Sequence, residues 1–252
     1  MITDPVFYMF AAPAVILLGL AKGGFSGVGA LALPLMALAT SPLQAAAITL
    51  PILMVQDVVS VWAFRRTFDR GILRLMLPSA AVGILGGYLL AAFVSSAAVE
   101  LAVGVISMLF GAQRLLPLST SGAPPADGRL PWRGVLAGVV SGFTSQIAHA
   151  GGPPFQMYVL PRKLAPDSLI GTSAIFFCAV NWMKTPAYLA LGQFNRESLS
   201  TAAVLLPLAI ASTWAGVWLV RRVPAEGFYR LIYLLMLLAG AKLAYDGAMG
   251  LF

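Results

Sequence analysis

Long apolar runs dominate the chain, separated by short stretches rich in arginine, glycine and proline. Six of the runs, at about 43–64, 72–94, 97–116, 168–191, 199–220 and 228–245, are each near the roughly 20 residues that a bilayer-crossing helix needs. Helix is the expected conformation, because backbone facing lipid has to satisfy its own hydrogen bonds. Two further segments are interrupted. The first, 6–39, contains Lys22-Gly23-Gly24-Phe25-Ser26-Gly27-Val28-Gly29. As one straight helix it would measure about 50 Å at 1.5 Å per residue, against a hydrocarbon core of about 30 Å. The second, 132–160, contains His149-Ala150-Gly151-Gly152-Pro153-Pro154, where glycine and proline disrupt a helix. Each interrupted segment is expected to form two short helices joined by a non-helical tip.

The two interrupted segments open two similar halves. Ser41-Pro42-Leu43 follows the first and Ala165-Pro166-Asp167 the second; Asp57 lies 16 residues after Ser41, and Asn181 lies 16 after Ala165. Thr67-Phe68-Asp69-Arg70 is paralleled by Gln193-Phe194-Asn195-Arg196. The order of features predicts an internal duplication: a membrane repeat at 1–117, a polar linker at 118–130 and a second repeat at 131–252.

Basic residues choose the topology, since loops rich in Lys and Arg stay cytoplasmic. If each broken segment crosses once, the cations split nine against five, with Lys22 and Lys184 set aside as intramembrane. If each goes in and returns, the split is twelve against two, with only Arg196 and Lys242 on the minor side. The stronger bias favours five helical elements per half. An odd number inverts the second half relative to the first, an architecture that recurs in transporters. The expected fold is therefore an all-α polytopic membrane protein. It has two inverted repeats of about five elements, the first two of each short and broken by a Gly-rich tip, 8–10 membrane segments in all. Both termini are expected outside. The start, MITDPVFYMF, carries no basic n-region, so the first apolar segment is expected to remain in the protein.

Composition narrows the class further. Hydrophobic residues make up 60% of the 252 positions and charged residues 10%, against roughly 45–50% and about 25% in soluble domains. Too few polar residues exist to cover a water-facing surface, which disfavours a soluble enzyme, a secreted disulfide scaffold and a nucleic-acid reader. The net charge of +7 fits loops held against an anionic leaflet. Cys178, the single cysteine, reads as a buried small hydrophobe.

The two tips are the main candidates for chemistry. Non-helical backbone at membrane depth needs surrounding protein or a wet cavity, and helix N-termini at such breaks suit an anion. The tips are expected near the midplane and within about one residue length of each other. The candidate substrate-binding residues are Lys22, Gly23, Gly24, Ser26 and Gly27 at the first tip. At the second they are Ser145, Gln146, His149, Gly151, Gly152 and Pro153, joined by Thr172 and Asn181. Gln56, Asp57 and Lys184 are candidates for coupling or charge pairing, and intramembrane ionisable groups usually face a cavity or a partner. The lone histidine, His149, has a reference pKa near 6.5 and could couple a proton. Gly83, Gly86 and Gly87 read instead as close-packing positions. Ser145 and His149, four apart, could share a helix face as in a hydrolase, yet no orienting acid or nucleophile turn accompanies them. No metal spacing is present, and neither a cofactor nor an enzymatic activity is expected.

The run LLGLAKGGFSGVGALALPLM resembles the opening motif of the TauE/SafE family of sulfite exporters. GVLAGVVSGFTSQIAHAGGPPFQMYVL and LIGTSAIFFCAVNWMKTPAYLALGQFN resemble its C-terminal repeat. The resemblance implies a multi-pass transporter of the bacterial inner membrane, moving a small sulfur-containing anion such as sulfite, thiosulfate or an organosulfonate. Lys22 and His149 read as subgroup features, and no family role is carried onto them. The expected partners are that anion, a coupled proton or sodium ion, the lipid bilayer and a second copy of the chain, without nucleic acid. An anion channel, or a membrane assembly protein, would share many of these signals.

Overall fold

A computed structural model describes residues 1–25, 27–91, 93, 95–116, 131–220, 222 and 226–251. Ser26, the linker 118–130 and Arg221 of the charge count lie outside the described residues. Among the described residues all regular structure is helical. The elements are α1 (Pro5–Gly23), α2 (Ala32–Ala37), α3 (Pro42–Phe64), α4 (Arg70–Ala91) and α5 (Ser96–Leu115), then α6 (Pro131–Ala148), α7 (Gly152–Val159), α8 (Pro166–Ala190), α9 (Arg196–Leu219) and α10 (Glu226–Met249).

The six uninterrupted runs become α3, α4, α5, α8, α9 and α10, and local chemistry sets their ends. Pro42 and Pro166 occupy first-turn positions, where a missing N–H costs nothing. Ser41 accepts from the Gln44 N–H at the start of α3. Asn195 and Ser198 cap α9 reciprocally. Pro5–Gly23, Pro42–Phe64, Arg70–Leu90 and Arg196–Leu219 are each long and apolar enough to cross a membrane. Large apolar side chains such as Met9, Trp62, Leu109, Trp182 and Leu238 lie exposed on the outside, where lipid rather than water suits them.

The broken segments differ from expectation in one respect. Only their second members are short: α2 has 6 residues and α7 has 8, whereas α1 has 19 and α6 has 18. The glycines come late in the first segment, after an apolar stretch that only Pro13 interrupts. A proline inside a buried membrane helix is tolerated because neighbours re-satisfy the freed carbonyl.

The helices pair in a regular way. α1 packs on α9 and α6 on α4; α3 packs on α9 and α8 on α4; α3 also packs on α8, and α5 on α10. Exchanging each of the first five helices for its counterpart in the second five maps this set of pairings onto itself. Small residues allow the closest approaches. A Cβ on Gly23 would overlap the Gly216 carbonyl carbon, one on Gly142 the Ala80 carbonyl oxygen, and one on Gly104 the Ala244 nitrogen. Gly83 and Gly87 likewise abut α6, at Val139 and Gln146, whereas Gly86 has nothing nearer than Phe143 at 4.0 Å.

Candidate functional site

The first tip is built from the end of α1. Gly24, at φ 130°, and Gly27, at φ 100°, turn the chain through conformations that favour glycine. Lys22 occupies the last turn of α1, where the negative end of the helix dipole favours a cation. Its ammonium is ion-paired with Asp57 on α3 and lies 5.4 Å from the centre of the Phe177 ring. One helical turn beyond Asp57, the Ser60 hydroxyl donates to the Lys22 carbonyl at 2.7 Å. The second Asp57 oxygen accepts from the Asn181 amide at 2.6 Å. Both oxygens of this fully buried carboxylate therefore have partners.

The second tip is built around His149, which follows α6 at φ 48°. Its Nε2 lies 3.0 Å from the Ala46 carbonyl oxygen. A carbonyl only accepts, so Nε2 carries the hydrogen. Its Nδ1 faces Lys184 Nζ at 2.7 Å, and that Nζ also reaches the carbonyl and the hydroxyl of Ser145, both at 3.2 Å. Tyr188 stacks on the imidazole at 6.1 Å between centroids. Neither ring nitrogen is directed at the Ser145 hydroxyl, so the two do not form a nucleophile–base pair. α7 then starts with Gly152, Pro153 and Pro154. The prolines have no N–H, and the Phe155 N–H is taken by the Gly151 carbonyl at 3.4 Å. Gly152 is left to supply the N–H of that turn. Helix-terminal donors therefore supply little of the positive character at this tip.

One cavity of about 130 Å³ is shared by both tips. It is well above the 10–15 Å³ that one water needs and below the roughly 300–1,000 Å³ of drug-sized sites. That size suits a small ion. Of the residues singled out in the sequence, Lys22, Gly24, Gly27, Ser145, His149, Gly152, Pro153 and Asn181 line it. The rest of the wall is mixed, with Ser60, Ser173 and Gln156 beside the apolar Leu53, Phe110, Phe155 and Phe177.

Other candidates stand elsewhere, for identifiable reasons. Gly23 is pressed against α9. Gly151 lies against Ser141, whose hydroxyl donates to its carbonyl at 2.7 Å. Thr172 donates to the Ser168 carbonyl at 2.6 Å and accepts from the Asp69 N–H at 2.9 Å, joining α8 to the start of α4. Gln56 donates to the Val15 and Ala209 carbonyls at 3.3 and 3.4 Å, tying α3 to α1 and α9. Gln146 is buried beside Gly87. Asp57 and Lys184 stand behind the lining, both fully buried.

The tips also do not abut as expected. The first is bonded to Ser60 and the second to Ala46, 14 residues apart on α3, or about 20 Å along a helix axis. The length of α1 carries the first tip past the second. A row of polar side chains, Lys22, Asp57, Asn181, Lys184 and His149, bridges the interval. Ser60 and Phe177 were not among the sequence candidates. Helical spacing from Asp57 and Asn181 places them on the same faces.

The family model described as Sulfite exporter TauE/SafE matches residues 11–243, most of the chain. No curated protein and no solved structure matches it.

Proposed function

Because the chain belongs to the sulfite exporter TauE/SafE family of membrane transporters, we propose that it is a secondary transporter, working as an exporter, of a small sulfur-containing anion. The substrate class is sulfite, thiosulfate or a short organosulfonate, and the membrane is the bacterial inner membrane. The anion binds at mid-depth between the two tips, and its movement is coupled to a proton or a sodium ion. The observation that carries this reading is the small cavity shared by both tips, with Lys22 on its wall. The aromatic part of the wall suits the apolar end of a sulfonate.

A thermal-shift screen of the purified protein tests it. Sulfite, thiosulfate or a short alkanesulfonate is expected to raise the unfolding temperature, with stabilisation of about 2.7 kcal/mol at a hundred times Kd. Failure of every such anion to stabilise the protein or to cross proteoliposomes containing it would sink the proposal. Flux that does not saturate would replace the transporter with a channel.

In this reading the two halves, 1–117 and 131–252, are inverted repeats, which the self-matching helix pairings support. Single cysteines at Arg66 and Arg222, in a Cys178→Ala background, are expected to resist impermeant thiol reagents added outside. A cysteine at Asn195 is expected to react. Labelling of Arg222→Cys from outside would rule out the inverted arrangement.

A further inference from the structure

The charges behind the cavity wall do not balance. Lys22 and Asp57 form a closed pair, with Asn181 on the second carboxylate oxygen. Lys184 is fully buried, and its polar contacts are the Ser145 carbonyl, the Ser145 hydroxyl and His149 Nδ1. None of these carries a negative charge. Among the described residues no carboxylate lies within ion-pair distance of Lys184. A buried ammonium with no counter-ion is destabilising by several kcal/mol.

The hydrogen bonds of the couple fit two protonation levels. His149 Nε2–H is committed to the Ala46 carbonyl, so Nδ1 offers its lone pair to Lys184. Either a neutral amine or an ammonium can donate into that lone pair. The two levels differ by one proton and one unit of charge, with no change of partners. A third level, with imidazolium and ammonium both charged, would set two donors against each other at 2.7 Å. The other charged groups that act on the couple are Lys22 from α1 and Asp57 from α3, which already neutralise each other. Among the described residues the other titratable group against it is the Tyr188 phenol, on α8 itself. His149 lies on the cavity wall and Lys184 behind it, so an anion in the cavity faces the couple across the imidazole.

We infer that the Lys184–His149 couple takes up one proton with each anion that enters the cavity, the anion supplying the counter-charge that Lys184 lacks. The inference rests on the cavity being the anion site. The proton adds to the Lys184 amine lone pair on binding and leaves it on release, and no other bond forms or breaks. Anion and proton therefore travel in the same direction.

The test uses purified protein in weakly buffered detergent with a pH-indicator dye. Thiosulfate and methanesulfonate serve as probes, because as anions of strong acids they bring no proton of their own. Uptake of about one proton per bound anion is expected, with affinity falling by up to about tenfold per pH unit on the alkaline side. Lys184→Met, which keeps the length of the chain and removes the amine, is expected to abolish both. His149→Phe, which removes the ring nitrogen that accepts from Lys184 and keeps an aromatic ring against Tyr188, provides a second variant expected to reduce uptake. Stabilisation by either anion without proton uptake would overturn this inference and leave the transport reading standing. Uptake unchanged in both variants would overturn the assignment to this couple. Absence of stabilisation by any anion would overturn the transport reading, and this inference with it.

Discussion

Asp57→Asn is expected to destabilise the fold by about 3–5 kcal/mol, the usual consequence of removing one partner of a buried ion pair. The geometry explains why the amide is a poor replacement. Asp57 accepts from Lys22 on one oxygen and from Asn181 on the other. An asparagine can keep its carbonyl towards Asn181, but its NH₂ then faces the Lys22 ammonium, donor against donor. Lys22→Met is expected to destabilise similarly, because it leaves a fully buried carboxylate with one neutral hydrogen bond. The double variant Lys22→Met with Asp57→Asn removes both charges at once. It is expected to recover most of the loss, as neutral replacements of buried pairs often do. Equilibrium unfolding in micelles, read as a double-mutant cycle, measures the coupling directly. Additive single-variant effects, with no recovery in the double, would show that the pair does not hold α1 against α3.

Much of this arrangement was legible in the sequence. The six uninterrupted runs became helices, with ends close to those expected, because length and hydropathy suffice to recognise a membrane helix. The breaks at Lys22–Gly29 and His149–Pro154 were legible because glycine and proline act locally. The equal spacing of Asp57 and Asn181 from their helix starts was read only as a sign of duplication, and the two side chains are bonded to each other. Rotation about the helix axes was much less legible. In a soluble helix the apolar stripe identifies the buried face, but a membrane helix is apolar on nearly every face. Thr172 was therefore taken for a substrate-binding residue and Gln56 for a coupling one, although their side chains tie helices together. The separation of the tips was hidden for another reason. It depends on how far α1 runs before Gly24, set against the level at which α3 passes, and only packing decides that. The lack of donors at the start of α7 could have been read directly, since Pro153 and Pro154 carry no N–H.

Lys22→Met is expected to weaken anion binding by tenfold or more, or at least about 1.4 kcal/mol. Lys22 lies on the cavity wall and Asp57 behind it, so an anion in the cavity meets the cation of the pair first. At an effective dielectric near 20, a unit charge about 6 Å away contributes roughly 3 kcal/mol. Removing the lysine deletes that attraction and exposes the anion to the carboxylate. Removing the carboxylate alone does the reverse, so Asp57→Asn, where it still folds, is expected to bind the anion more tightly than wild type. The double variant should fall between wild type and Lys22→Met. This order separates electrostatics from misfolding, because loss of structure would weaken binding in all three variants. Lys22→Arg should rescue only in part. A guanidinium pairs with a carboxylate through two parallel N–H bonds, which would draw the charge towards Asp57 and away from the cavity. Titration of thiosulfate into the folded variants decides the matter. If Lys22→Met binds the anion as tightly as wild type, Lys22 serves the fold through Asp57 and takes no part in holding substrate.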